Sequence, residues 1–284
     1  MNQDIFLKSD FSIRWVIALK EEAETILDEY SMDFMPDFTL FQVFSNFDRT
    51  RWLVLSGIGR HNSAAAATYL YVISNASRST SWINIGIAGS GKGNYGDLCL
   101  VNKISNNGLS NTYPATMPSV TFDKMRLFTS DIPVENYSSH ELIDMEGSAF
   151  YDVTNKISGR EFICLIKVIS DGPANSIKDL NKFKIIELFK SNITKIKTIV
   201  SYYEKLSMDE YKITNKPKIF SQILSQWHFT VSQKYKLNNL IRRINTLTKD
   251  KEIIELIKDC KNSRSVIITL ETKILNTVVD WSQV

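Results

Sequence analysis

The chain of 284 residues is poor in the residues that bend, lock or cross-link a backbone. It has 11 glycines, where an average chain of this length carries about 20. All of them lie at or before Gly172, and residues 174–284 contain no glycine and one proline, Pro217. Glycine marks backbone that must take positive φ or approach a ligand closely. A region with tight, ligand-holding turns therefore precedes a region with almost none. The three cysteines, Cys99, Cys164 and Cys260, are too far apart for a CxxC motif, and so sparse a set suits reduced thiols in a cytosolic protein. His61, His140 and His228 are too scattered for a metal cluster. No stretch approaches 18 uncharged apolar residues, which excludes an apolar membrane-spanning helix. The opening MNQDIFLKSDFSIRW lacks the basic-then-apolar pattern of a secretory leader. A cytoplasmic protein is expected.

Charge is nearly balanced at +3, but unevenly placed. From residue 208 onward 13 Lys and Arg face 8 Asp and Glu, a surplus of +5, and the remainder carries −2. That surplus falls far short of a dedicated nucleic-acid domain and fits a solvated helix face.

What is present is a succession of short apolar runs, each followed by a turn and an amphipathic stretch. Ser12–Leu19 reads as a buried strand and Lys20–Tyr30 as a helix with Ala23, Ile26 and Leu27 on one face. Phe38–Phe44 and Trp52–Leu55 read as a hairpin, and Asn62–Ser74 as an alanine-rich helix. Trp82–Ile87, Leu98–Ile104, Lys124–Thr129 and Phe162–Ile169 read as strands, and Asp144–Ile157 and 176–206 as helices. The tail from 208 holds three or four helical stretches, with Val266–Val279 open between helix and strand. Strands alternating with helices through short glycine turns indicate an α/β fold with a largely parallel core. In such sheets ligands sit at the carboxyl ends of strands. The turns SGIG (56–59) and GIAGSGKG (86–93) and the end Ser170-Asp171-Gly172 all follow strands at that edge. GSGKG lacks the spacing and the Lys-Ser/Thr pair of a nucleoside triphosphate loop.

Four segments, in this order, resemble the purine nucleoside phosphorylase and methylthioadenosine/S-adenosylhomocysteine nucleosidase superfamily. They are IALKEEAETIL (17–27), LVLSGIGRHNSAAAATYL (53–70), INIGIAGSGKGNYGDLCLV (83–101), and IDMEGSAFYDV (143–153) with LIKVISD (165–171). The resemblance covers roughly 12–207. It implies a three-layer α/β/α fold with a mixed, largely parallel central sheet, followed by a mostly helical extension over 208–284. Glu22 matches the glutamate that activates the attacking water in the nucleosidase branch, although a first-turn acid also serves the helix dipole, a role open to Glu21 and Glu24. Met145 matches the methionine that packs on the sugar, and Glu146 the glutamate that accepts from the ribose 2′ and 3′ hydroxyls, for which a carboxylate has two oxygens. Ser170-Asp171 matches the pair whose aspartate protonates N7 of the departing purine. Gly57, Gly86, Ala88 and Gly89 fall where the family's strand ends meet the substrate.

Departures from the pattern carry information too. Two positions that bind phosphate in phosphorolytic members are Asn84 and Ile87 here, and a dianion needs charged or N–H donors. Water is therefore the expected nucleophile, with phosphorolysis as the alternative. Ile87 also replaces a hydroxyl that nucleosidases commonly carry, which keeps a silent nucleoside-binding protein as a reading of another class. Only 47 residues (98–144) lie between Gly96-Asp97 and Met145, fewer than the family usually has. The base-side loop is shortened there, with 130–133 as its candidate remnant. The expected partner is a small nucleoside. No cofactor, metal, membrane or nucleic acid is implied, and a homo-oligomer stays open.

Overall fold

The computed structural model describes residues 13–106, 109–114, 122–134, 136–137, 141–214, 218–245 and 250–276. The opening stretch 1–12, Gly108, His140, Pro217 and the end of the Val266–Val279 run lie outside them. In chain order the first half comprises β1 (Ile13–Ile17), α1 (Lys20–Glu29), β2 (Asp33–Phe34), β3 (Gln42–Ser45), β4 (Arg51–Leu55), α2 (Arg60–Ile73), β5 (Ser81–Gly89) and β6 (Leu98–Asn106). There follow β7 (Leu109–Thr112), β8 (Asp123–Thr129), β9 (Leu142–Asp144), α3 (Gly147–Ile157), β10 (Ile163–Asp171) and α4 (Lys182–Thr214).

Alternation along the strands assigns each residue to a face. On β1, Ile13, Trp15 and Ile17 pack with Ala23 and Ile26 of α1 and with Ile185, Phe189 and Val200 of α4. Val16 turns the other way, toward Ala66, Ala67 and Leu70 of α2 and Phe150 of α3. The sheet thus lies between an α1/α4 layer and an α2/α3 layer, a three-layer α/β/α arrangement.

β1 pairs in parallel with β4 and β5, and β5 in parallel with β10 over most of its length. β6–β8 and β8–β9 are also parallel. The antiparallel ladders β2–β3, β3–β4, β10–β6, β6–β7 and β5–β9 are short. The sheet is mixed, with its long ladders parallel. From β5 the path runs through β10, β6, β8 and β9 and returns to β5, because Gly89 pairs with both Asp171 and Ile143. One end of the sheet is therefore closed on itself.

Three expectations need correction. The first strand of the hairpin, expected over Phe38–Phe44, begins only at Gln42 and runs to Ser45, paired with β4. The helix expected from Asp144 starts at Gly147, because Leu142–Asp144 pairs with β8 as a strand and the Asp144 carboxylate accepts from the Gly147 N–H. The helix expected over 176–206 is broken at its start by a 3-10 turn over Ile177–Asp179, capped by Ser176, and then runs on to Thr214.

The chain divides into two compact units, Met1–Tyr211 and Lys212–Val284. The second unit is helical: α5 (Lys218–Gln226), α6 (Val231–Asn245), α7 (Asp250–Ile257) and α8 (Ser263–Asn276). Its own core includes Ile223, Leu237, Ile241, Ile253, Val266 and Leu270. The stretch left open between helix and strand is thus helical through Asn276. No helix among the described residues is long and apolar enough to cross a membrane.

One buried cation ties the first unit together. Arg14, fully buried on β1, donates from Nε to Ser74 Oγ at 2.7 Å and from Nη2 to the Ser74 carbonyl at 3.0 Å. A third bond, from Nη1, reaches the Thr50 carbonyl at 3.2 Å, and the guanidinium lies over the Trp52 ring. It thus fastens the end of α2 and the turn before β4 to the central strand. Replacing it with a chain that cannot donate strands these buried acceptors, at about 1–3 kcal/mol each. Arg14→Met is expected to lower stability by about 3 kcal/mol or more, measured as a reduced midpoint in urea unfolding with unchanged slope.

Candidate active site

Parallel registers bring four strand ends to one edge: Ile17 of β1 lies beside Leu55 of β4, and Gly89 of β5 beside Asp171 of β10. β9 runs antiparallel to β5 at Gly89, which delivers Met145 and Glu146 to the same place. A cavity of about 200 Å³ opens there. Of the residues expected at the site, Glu22, Ala88, Gly89, Met145, Glu146, Ser170 and Asp171 all line it. Gly57 and Gly86 are not among the lining residues, though Gly86 lies against the Glu22 carboxylate. Ile58 takes the wall position next to Gly57.

Glu22 is 2% exposed. It sits in the first turn of α1, and its Oε2 accepts from the Leu19 N–H that precedes the helix, while Oε1 accepts from the Ile87 N–H, both at 2.9 Å. A capping interaction thus becomes a bridge from α1 to β5. Gly86 makes room for it, since a Cβ there would stand 3.0 Å from Glu22 Oε1. Burial pushes the Glu22 carboxyl up to about 7, against the two N–H bonds and the Lys167 charge that favour ionisation.

Glu146 lies in the turn between β9 and α3. Its Oε1 accepts from the Gly59 N–H at 2.7 Å, and Oε2 from the Met145 N–H at 3.3 Å. Gly59 has φ of +105°, a conformation L side chains rarely adopt, so glycine is needed for the SGIG turn to present that amide. Burial, and then the Asp144 charge, raise the Glu146 carboxyl above its ordinary value.

Asp171 is 4% exposed at the end of β10. The Ser170 hydroxyl makes a short hydrogen bond to its Oδ1, and the Tyr137 hydroxyl donates to its Oδ2 at 2.6 Å. The strand ends are fixed by main-chain bonds as well, the Ser90 N–H donating to the Asp171 carbonyl at 2.9 Å.

Beneath the cavity lies a residue the motif comparison passed over. Lys167 is 1% exposed, and its Nζ meets Asp144 Oδ2 at 2.7 Å and Asn84 Oδ1 at 2.8 Å. Burial pulls its ammonium down, but Asp144, Glu146 and Glu22 together hold it above its ordinary value. Asp144 also accepts from Thr129 Oγ1 at 2.7 Å and from the Gly147 N–H at 2.8 Å, which fixes the turn that carries Met145-Glu146. Asn84 Nδ2 in turn donates to the Val16 carbonyl on β1. Asn84, a candidate phosphate position, is therefore engaged below the cavity and does not line it, whereas Ile87 does. The signal for Lys167 was a lone lysine inside the apolar run FICLIKVI.

The walls are mostly apolar, including Leu19, Ile58, Ile87, Ile132, Val134 and Ile143. The ionisable lining groups are Glu22, Asp144, Glu146 and Asp171, and among the described residues no basic side chain lines the cavity. Arg60, at the start of α2, makes a two-pronged ion pair with Asp131 at 2.6–2.7 Å, joining α2 to the loop that supplies Ile132 and Val134. Such a site is built to stabilise positive charge and to exchange protons, and it opposes an anion.

No family model and no curated protein matches the sequence. Solved structures do match. A methylthioadenosine/S-adenosylhomocysteine (MTA/SAH) nucleosidase superposes with a TM-score of 0.54 at 16% identity, over 68% of this chain and 97% of its own. The Campylobacter jejuni 5′-methylthioadenosine/S-adenosylhomocysteine nucleosidase does so at 0.51 and 15%, over 69% and 98%. The Arabidopsis thaliana 5′-methylthioadenosine nucleosidase, in apo form, does so at 0.51 and 15%, over 74% and 98%. The first unit shares the fold of these nucleosidase structures. At this identity the nucleosidase likeness is one of fold, and the chemistry must be argued from the cavity itself.

The raised Glu22 carboxyl has a consequence for stability. With a folded value near 7 and an ordinary value of 4.5, the folded state holds this proton more tightly than the unfolded chain. The stability that protonation contributes is full below about 4.5 and is lost as pH rises to about 7, a change of order 3 kcal/mol. Glu22→Gln, which keeps the shape without the charge, is expected to remove this decline. Thermal midpoints of both proteins between pH 5 and 8 would then diverge, the variant gaining as pH rises.

Proposed function

We propose that the protein hydrolyses the N-glycosidic bond of a purine or 5′-modified purine nucleoside in the cytoplasm. The observation that carries this reading is the convergence of Glu22, Glu146 and Asp171 on one cavity, with Lys167 buried beneath them and no cation among the described lining residues. Breaking a glycosidic bond builds positive charge on the sugar and negative charge on the leaving base. Carboxylates around the sugar stabilise the first, and a proton given to the base neutralises the second.

The roles follow from placement and from the motif resemblance together. Glu146 accepts from the ribose 2′ and 3′ hydroxyls, using the lone pairs its bonds to Gly59 and Met145 leave free. Met145 packs on the sugar. Asp171 gives a proton to the purine, the C1′–N9 bond breaks, and its electron pair leaves with the base. Water adds at C1′ and passes its proton to Glu22, whose carboxyl near 7 suits a base at neutral pH. Solvent exchange then restores both carboxyl groups. Water is favoured over phosphate because a dianion entering this cavity would meet four acidic groups and, among the described residues, no basic side chain in the lining. Residues 1–207 form the catalytic domain in this reading, with 208–284 as an added helical module.

Incubation with adenosine, inosine, methylthioadenosine and S-adenosylhomocysteine tests the reading. Free base is expected from at least one, at a rate independent of phosphate, with kcat/KM rising as pH passes through about 7. Asp171→Asn and Glu22→Gln are each expected to lower kcat by about 10²–10⁴-fold. Base release that requires phosphate would make the protein a phosphorylase. Tight binding without release would make it a silent nucleoside-binding protein, the reading Ile87 favours.

A further inference from the structure

Tyr137 does not line the cavity, yet it touches the residue on which the proposed reaction turns. Its hydroxyl donates to Asp171 Oδ2 at 2.6 Å, the Ser170 hydroxyl holds Oδ1, and the tyrosine is itself buried. Each carboxylate oxygen carries two lone pairs, so both oxygens are anchored while each keeps one for the cavity. Both anchors are neutral hydroxyls, which orient the carboxyl without the opposing charge of an ion pair. The pairing is built into the strand beside it. A Cβ at Gly89 would stand 2.6 Å from Tyr137 Cε1 and 2.7 Å from Asp171 Oδ2, so the absence of a side chain at 89 is what lets ring and carboxyl meet. Gly89 is pinned in turn by pairing to Asp171 on one side and Ile143 on the other.

We propose that Tyr137 is a positioning residue for the proton-donating carboxyl, holding Asp171 from behind so that its protonated oxygen faces the departing base. The inference rests on the reading of Asp171 as the proton donor. An aspartate turns easily about its terminal bonds, and misplacement of a reacting group by an ångström can cost about 10²-fold in rate. Ser170 alone fixes one oxygen and leaves the carboxyl free to swing about it. Tyr137 removes that freedom.

The test separates positioning of the proton donor from general support of the fold. Tyr137→Phe removes one oxygen and keeps the ring. On purine nucleosides its kcat is expected to fall about 10–100-fold, part of what a general acid supplies, with KM changed less than about threefold. On 4-nitrophenyl β-D-ribofuranoside or 7-methylinosine, whose leaving groups depart without gaining a proton, the loss is expected to stay below about threefold. Both kinds of substrate are measured on one preparation, so their ratio does not depend on the folded fraction. Ser170→Ala, which removes the other anchor, is expected to show the same split. Equal losses on both kinds of substrate, or no loss on purine nucleosides, would overturn the role of Tyr137 and leave the nucleosidase reading standing. Wild-type protein that releases base from no nucleoside would remove that reading and this inference with it.

Discussion

A lysine buried among carboxylates is the interaction on which the rest of the site depends. Glu22, Asp144 and Glu146 are withdrawn from water within one small volume, and like charges so placed repel strongly. Lys167 supplies the compensating charge from below, through direct contact with Asp144 and through space to the other two. It also joins four strands: it sits on β10, meets β9 through Asp144 and β5 through Asn84, and Asn84 reaches β1 through the Val16 carbonyl. Placed under the cavity, the ammonium lowers the cost of burying acids without offering a docking point to an anion.

The glycine turns find their explanation around this charged centre. Gly59 presents an amide to Glu146, Gly86 leaves room for the Glu22 carboxyl, and Gly89 leaves room for the Tyr137–Asp171 pair. In each case the missing side chain lets a carboxylate approach main chain or a ring. The helical unit after residue 211 holds no glycine and has an apolar core of its own, so nothing in it requires such approaches.

Much of this is legible in the sequence. The strand and helix assignments rest on periodicities that buried faces impose, and β1, α1, α2, β5, β6, β8 and β10 lie where those patterns placed them. The carboxylates were legible because each sits in a short ordered motif, and the cavity gathers Glu22, Glu146 and Asp171. The short β9 is not, because three residues give too little alternation and Asp144 reads with the helix that follows it, whose Gly147 N–H its side chain accepts from. Tyr137 was not legible for a different reason. Nothing local marks a tyrosine 34 positions before its partner, and their meeting depends on β9 crossing over to β5. Lys167 was visible as an oddity in an apolar strand, but its partners lie on other strands and carry no mark of their own.

The closing of the sheet on itself bears on how the molecule comes together. Gly89 is paired on two sides by segments that follow it by more than 50 and more than 80 residues in the chain, Ile143 and Asp171. Contacts between such distant segments form late and slowly in folding, because the intervening loops must be closed first. The carboxylates of the cavity arrive on those same segments. The pocket is thus complete only where the sheet is closed, because the segments that carry Glu146 and Asp171 are the ones that close it at Gly89.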